Sequence, residues 1–431
     1  MSHASLPLPG AEIELDSEQQ SEFARERLRT LPDTSVVFLV NFVAPNLLEV
    51  FRELTHRFKA FTVICSVPME GNRQWKLESD GIDVRFQRTW TITRTARHPS
   101  GYSEPNYIHV PLDSWSQLRR LKPDVVVSLE LGARTAFSAL YRLLHPSVIH
   151  VAAVLASERS EAGRGPLRRL TRRTLLRRLD LATYNGPSCK RYLMSLGADE
   201  QKLAPWDYAA DPRKAYRGPL ETRTRPADEI RLLTVGQLTE RKGVLQATAS
   251  LNEYARSHAG LNLCWTLVGD GPLRIELEQL ERQSNFTIEF AGHCDPEEIQ
   301  EQYRTHDAML FPTLGDEWGL VVDEALASGL PVIGSLHSQA VETIVYEGKN
   351  GVHYVPEEQG SLADALDRFL AMQQQEPRVM RTVARETVQH RTPERSASQM
   401  VDAIIGAMQH RGIRPKIQEA TKQSLRKDQS K

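Results

Sequence analysis

Phe311-Pro-Thr-Leu-Gly-Asp-Glu-Trp-Gly-Leu-Val-Val-Asp-Glu-Ala-Leu-Ala-Ser-Gly-Leu-Pro-Val-Ile333 decides how this chain is read. An apolar strand ends at Phe311, an acidic, glycine-containing loop follows, and a helix begins near Gly319 before Gly329 and Pro331 close it. A helix N-terminus at the carboxyl end of a parallel strand presents free N–H groups and a partial positive charge, which suits a diphosphate. Gly319, followed by Leu320, lets the backbone approach a ligand closely. Asp316 and Glu324 lie eight residues apart. One carboxylate therefore falls in the loop and the other one to two turns into the helix, where they can bond different hydroxyls of an elongated ligand such as a sugar joined to a ribose.

Outward from this block, short runs rich in Val, Ile, Leu and Phe recur at 230–235, 264–268, 287–290, 308–311 and 331–334, with helical segments between them. A first set stands at 36–40, 61–65 and 125–127. Continuous apolar runs of this length belong to parallel sheets covered on both faces. Between the sets, 211–228 carries Pro212, Gly218, Pro219 and Pro226 among charged residues, which is linker chemistry. The pattern predicts an α/β chain of two Rossmann-like doubly wound domains facing one another across a cleft. The expected boundaries are an N-terminal extension at 1–32, a first Rossmann-like domain at 33–216, a linker at 217–229, a second Rossmann-like domain at 230–392 and a helix at 393–410 able to pack back on the first domain. A basic, disordered tail is expected at 411–431.

The chain has 431 residues, enough for two cores. Its 54 Lys and Arg balance 55 Asp and Glu, so net charge gives no support to nucleic-acid binding, and none is expected. Four cysteines without C-x-x-C spacing indicate neither a zinc site nor a disulfide framework. The polar, acidic N-terminus does not have the design of a signal peptide, and no stretch is apolar enough to span a membrane. A cytoplasmic protein, able to sit peripherally on the inner face of the cell membrane, is the expectation.

Val235-Gly-Gln-Leu-Thr-Glu-Arg-Lys-Gly243 is a strand running into a loop and then a helix, with Arg241 and Lys242 placed to neutralise a diphosphate leaving group. Leu267-Val-Gly-Asp-Gly-Pro-Leu273 and Phe290-Ala-Gly-His293 are further strand ends with tight turns.

These blocks resemble the GT-B-fold retaining glycosyltransferases of family 4, the glycosyl transferases group 1, over most of 230–370. The resemblance implies that Asp316 takes the place of the acid that binds the transferred hexose, with Glu317 beside it as the alternative. It implies that the Gly319 and Leu320 backbone holds the diphosphate and that Glu324 binds the ribose. Gly236, Gln237, Arg241 and Lys242 correspond to the donor loop, and Gln237 stands where the family has an Arg, a charge that Arg241 can supply. Gly269, Gly271 and His293 correspond to the base pocket, although ordinary turn chemistry accounts for them equally. Ser338-Gln339 stands where many relatives have two glycines, with Ser338 a plausible helix cap. The catalytic candidates are thus Asp316, Glu317, Arg241 and Lys242.

The resemblance weakens before residue 220. Asn41-Phe-Val-Ala-Pro-Asn46 replaces the family's glycine-rich loop, leaving Pro45 and Asn46 as acceptor-side candidates. His150 begins a strand, so a packed or surface role is expected for it, and Glu158 or Arg159 is the better cleft candidate. Residues 164–179 interleave Arg164, Arg168, Arg169, Arg172, Arg173, Arg177 and Arg178 with leucines; such a helix either lies on anionic lipid or turns its leucines to the core.

The expected activity is transfer of a hexose from a UDP- or GDP-sugar to a glycan or lipid-linked acceptor, with no metal and no cofactor. A non-catalytic nucleotide-sugar-binding subunit and a nucleotide-sugar epimerase of the same fold are the alternatives.

Overall fold

A computed structural model describes residues 28–70, 79–220, 226, 228–375 and 377–420; the expectations for 1–27, for most of the linker's centre and for 421–431 lie outside them. The chain begins with β1 (Leu28–Val40), α1 (Pro45–Thr55), β2 (Phe58–Cys65) and β3 (Asp83–Phe86). An antiparallel hairpin follows, β4 (Thr89–Arg97) and β5 (Ser103–Pro111), and then α2 (Ser114–Leu121), β6 (Val125–Leu129) and α3 (Ala133–Leu144). The domain continues through β7 (Ile149–Val154), α4 (Pro166–Leu176), β8 (Leu181–Tyr184), α5 (Pro187–Ser195) and β9 (Leu203–Pro205).

Its sheet runs β3-β2-β1-β6-β7-β8-β9 with every neighbouring pair parallel. All six residues of β7 are buried, as expected for a parallel strand covered on both faces. This is why its sequence, His150 apart, reads as an apolar run rather than an alternation.

The second domain contains β10 (Glu229–Val235), α6 (Val244–Ser257), β11 (Asn262–Val268), α7 (Arg274–Gln279), β12 (Phe286–Gly292), α8 (Pro296–Thr305) and β13 (Ala308–Phe311). It is completed by α9 (Leu320–Ala327), β14 (Val332–Ser335), α10 (Gln339–Ile344), β15 (Gly351–Tyr354), α11 (Ser361–Gln375) and α12 (Pro377–Val388). Its six-stranded parallel sheet has the order β12-β11-β10-β13-β14-β15.

The last helix, α13 (Pro393–His410), returns to the first domain. The Thr392 side chain accepts the Arg395 N–H at 3.3 Å, and Pro393 in the first turn needs no donor there, so the helix starts where the sequence says it should. Met400, Val401 and Ile404 are fully buried among side chains of β1, α1 and β7. Each contributes roughly 2 kcal/mol by that burial, so the helix is part of the N-terminal core despite its position in the chain.

Two expectations at the termini need correction. β1 reaches back to Leu28, into residues assigned above to the N-terminal extension. Residues 418–420, expected to be disordered, form β16 (Gln418–Ala420), antiparallel to Leu28–Thr30. β1 overhangs its neighbour β2, whose pairing with it begins at Leu31, so its first backbone groups would otherwise have no ladder partner.

The basic segment 164–179 forms α4, and its leucines divide. Leu167 and Leu170 are 76% and 60% exposed, whereas Leu176 and Leu179 are buried. Arg172 is buried too, paired with Glu161 at 3.0 Å and donating to the Tyr192 hydroxyl at 3.1 Å. The idea that all the leucines face the core therefore fails for the first turns. Among the described residues, no helix is long and apolar enough to cross a membrane.

Candidate active site

Open α/β sheets bind ligands outside the carboxyl ends of their strands, where the strand order reverses. In the C-terminal sheet that point lies between β10 and β13, and in the N-terminal sheet between β1 and β6.

The C-terminal point is filled by the loops after β10 and β13, which are laced together. Leu314 N donates to Arg241 O at 2.8 Å, and Thr313 Oγ1 donates to the same oxygen at 3.2 Å. Lys242 Nζ meets Asp316 Oδ2 at 2.6 Å and Arg241 Nη1 reaches the same oxygen at 3.1 Å. Arg241 also donates to Gly315 O at 2.9 Å and pairs through Nε with Glu104 at 3.0 Å. Burial opposes ionisation of Asp316, but the charges of Lys242 and Arg241 outweigh it and hold the carboxyl well below the usual range. Two cations thus meet two carboxylates, Asp316 and Glu104, so the cations are held in place at the strand ends with their charge balanced.

Gly319 caps α9 with φ 109°, and a Cβ added there would lie 2.9 Å from the Phe311 ring and 3.0 Å from Ser338 Oγ. Only glycine fits both the backbone and the space. The free N–H groups of the first turn, starting at half-buried Leu320, lie beyond it.

In the second turn Glu324 accepts the Tyr303 hydroxyl at 2.9 Å. Burial pushes its carboxyl up to about 7 against the pull of that hydrogen bond, with Asp323 adding to the rise. Asp323 points the other way, accepting from Trp318 Nε1 and from Arg391 Nε at 3.1 Å. Arg391 lies 4.7 Å over the Trp318 ring and continues to Asp207 at 3.0 Å. The donor-side helix is thus fastened to the crossing between the domains.

Glu317 is exposed to the groove, yet close enough to Glu130 and Glu161 of the N-terminal domain to feel their charge. Desolvation by the surrounding walls, then Glu130, Glu161 and Asp316, push its carboxyl up to about 8. That effect is fullest when a ligand displaces water from the groove.

The glycines of the neighbouring strand ends serve packing. A Cβ on Gly269 would fall 2.1 Å from Gly236 O, and one on Gly271 2.5 Å from Leu238 O, so the three loops touch through their backbones. Gly236 itself faces Lys242 Cε, while Gln237 and His293 sit exposed at the rim.

Several candidates are not brought to this point. Glu158 pairs with Arg191 at 2.8 Å, and Arg191 also reaches Glu342 of the other domain at 2.7 Å, so Glu158 belongs to an interdomain tie. Arg159 lines a separate cavity of about 520 Å³ together with His98, Pro99, Gln246, Leu314 and Glu357. Pro45 is the exposed first residue of α1, and Asn46 is half-buried with no hydrogen-bond partner for Oδ1 among the described residues. His150 is packed inside β7, with Nε2 3.0 Å from Ser128 Oγ and its imidazole pushed down to about 3 by burial and Arg142.

Three features escaped the sequence reading. The hairpin β4–β5 reaches the donor loop, where Ser103 N donates to Glu240 at 2.9 Å and Glu104 meets Arg241. Threonine at every second position of 89–95 was its signal. Gln339 bridges the domains, donating to Leu155 O at 2.6 Å and Glu317 O at 2.5 Å while accepting the Cys189 N–H at 2.9 Å. Glu130 closes β6 at the N-terminal switch point, where an acid ending an apolar run was the available hint. Among the described residues no group of three or more His, Cys, Asp or Glu side chains is gathered to hold a metal ion.

Comparisons with known proteins agree with this geometry. The family model described as glycosyl transferases group 1 matches residues 221–387. An uncharacterized glycosyltransferase of Methanocaldococcus jannaschii is 30% identical over 146 residues, 33% of this chain and 36% of that protein. The glycogen synthase of Mycobacterium tuberculosis is 32% identical over 169 residues, 39% of this chain and 37% of that one. The chain thus spans about a third of the length of these curated relatives. Among solved structures, Anabaena HepE in complex with UDP superposes with TM-score 0.63 at 15% identity, covering 86% of this chain and all of that one. WaaG, a glycosyltransferase involved in lipopolysaccharide biosynthesis, gives TM-score 0.56 at 16% identity over 84% of this chain and 98% of that one. These two likenesses establish the shared fold, a GT-B architecture, and the family match, lying over the loops just described, shows that residues 221–387 resemble the glycosyl transferases group 1.

Proposed function

We propose that this protein is a retaining glycosyltransferase that moves a hexose from a UDP- or GDP-sugar to a glycan or lipid-linked acceptor, without a metal or cofactor. The observation that carries the reading is the convergence of Lys242, Arg241 and the α9 N-terminus at the C-terminal switch point. Charge developing on a departing diphosphate is stabilised there by fixed cations and N–H groups, the service a divalent ion gives elsewhere.

In the proposed reaction the bond from the anomeric carbon to the diphosphate oxygen breaks and its electron pair leaves with the nucleoside diphosphate. The acceptor oxygen bonds the same carbon on the same face, and its proton passes to the departing phosphate. Because Asp316 is held by two cations, the hexose hydroxyls fall to Glu317, and the ribose to Glu324. HepE was solved with UDP and with UDP-glucose, which supports a uridine donor.

The exposed Leu167 and Leu170, set among the arginines of α4, support docking on the anionic inner face of the cell membrane, where lipid-linked acceptors reside.

Thermal shift against UDP-, GDP- and ADP-sugars, followed by product analysis with labelled donor, tests the proposal. A stabilising donor that is transferred or hydrolysed is the expected result. Binding without turnover over a broad acceptor panel would favour the non-catalytic subunit, and a converted but unreleased sugar the epimerase.

A further inference from the structure

The cleft joins two switch points, and the residues of the N-terminal one are not among those assigned to the donor above. Its first residue beyond β6 is Glu130, which adopts the left-handed conformation with φ 65°. For a residue with a Cβ this costs on the order of 1 kcal/mol, and it persists where the surroundings impose it. Glu130 N donates to Ala153 O at 2.8 Å and the Thr135 hydroxyl donates to Glu130 O, fixing the turn from both sides.

That turn brings Glu130 Oε1 to the end of β7, where it accepts the N–H groups of Leu155 at 2.7 Å and Ala156 at 3.2 Å. A hydrogen-bonded path then crosses the cleft. Leu155 O accepts from Gln339 Nε2, and the same amide donates to Glu317 O. Asn185, buried at the end of β8, donates Nδ2 to Glu317 O at 3.3 Å, while its Oδ1 accepts no hydrogen bond among the described residues. Asn185 Oδ1, beside the Glu317 main chain, is thus a buried acceptor with no donor among the described residues. A ligand that brings a hydroxyl proton satisfies such an oxygen; another anion does not.

We propose that Glu130 is the acceptor-side catalytic residue, its carboxyl group receiving the hydrogen bond of the attacking hydroxyl of a glycosyl acceptor opposite Glu317. This rests on the transferase reading above and extends it to the nucleophile. The charged groups facing Glu130 are Arg172 of α4, Glu161 of the preceding loop, Glu317 across the cleft and Arg134 of α3. Burial raises the Glu130 carboxyl against the pull of Arg172, with Glu161 adding to the rise. The group orients a hydroxyl and does not need to retain its proton, which leaves with the diphosphate.

Water stands in for the acceptor hydroxyl in the test. Full-length protein is given UDP-glucose, GDP-mannose or ADP-glucose without other acceptor, and release of nucleoside diphosphate is followed. Glu130→Gln keeps the side-chain shape and the oxygen that accepts from Leu155 and Ala156. It should melt and bind the nucleotide as the wild type does, yet release diphosphate about tenfold more slowly. The limb of the wild-type pH profile due to Glu130 should also disappear, which a merely structural role would not cause. Glu130→Ala should be slower still; if it fails to fold, Glu130→Gln decides. Wild-type release by a folded Glu130→Gln overturns the proposal. A wild type that neither binds nor hydrolyses any of the three donors sinks the transferase reading itself, a different result from a loss confined to the variant.

Discussion

The two switch points share one fold rule and are built oppositely. At the C-terminal one, Lys242 and Arg241 are clamped on Asp316 beside the start of a glycine-capped helix. At the N-terminal one, Glu130 is fixed by backbone donors in a strained turn, with Glu317 near and Asn185 Oδ1 unmet among the described residues. Identical topology thus yields fixed cations beside a helix start at one point and a carboxyl held by backbone donors at the other. The chemistry lives in the loops, and the sheets supply only the positions.

The contrast breaks most sharply at Lys242. Lys242→Ala should weaken UDP binding about a hundredfold, ~2.7 kcal/mol, by isothermal titration, and also lower the melting temperature, because Asp316 loses its 2.6 Å partner. Unchanged affinity would end the cationic account of the donor site. Gly319→Ala probes the backbone half of that pocket. The clash with Phe311 and Ser338, added to a left-handed backbone, should cost about 2 kcal/mol of stability in denaturant titration and weaken UDP binding in parallel.

A smaller effect comes from pH. Burial holds the Glu324 carboxyl at about 7 in the folded chain, against 4.5 for the free side chain. Between these values the folded state binds more protons than the unfolded one. The stability due to this group is therefore fully present below about pH 4.5 and lost as pH rises through 7. Glu324→Gln should flatten melting temperature against pH over 5 to 7; a curve parallel to wild type would remove this carboxyl from the account.

The smallest change in stability is expected at the surface of the acceptor domain. Leu167→Gln/Leu170→Gln should alter stability by no more than about 0.5 kcal/mol, yet abolish flotation with anionic liposomes. Equal flotation would detach α4 from the membrane.

How much was legible in the sequence follows the same division. Strands such as β13 and β6 announce themselves because burial on both faces leaves mostly apolar residues in a short run. The donor loops are legible because glycine, paired cations and acids sit within a few residues of a strand end. Gln339 was not, because its role depends on Leu155, 184 residues away in sequence. The same holds for Glu104, which meets Arg241 only once the hairpin swings across the cleft. Arg241 looked like a free phosphate ligand and proves to be held by carboxylates from both domains.

One consequence of α13 concerns the making of the protein. The sheet of the first domain is covered by residues 393–410, so that domain has exposed apolar faces of β1, β7 and α1 until those residues, on the far side of the second domain in sequence, have left the ribosome. The second domain, contiguous in sequence, is complete earlier. Synthesis order and folding order are therefore inverted here, and the half translated first is the one that must be shielded from aggregation the longest.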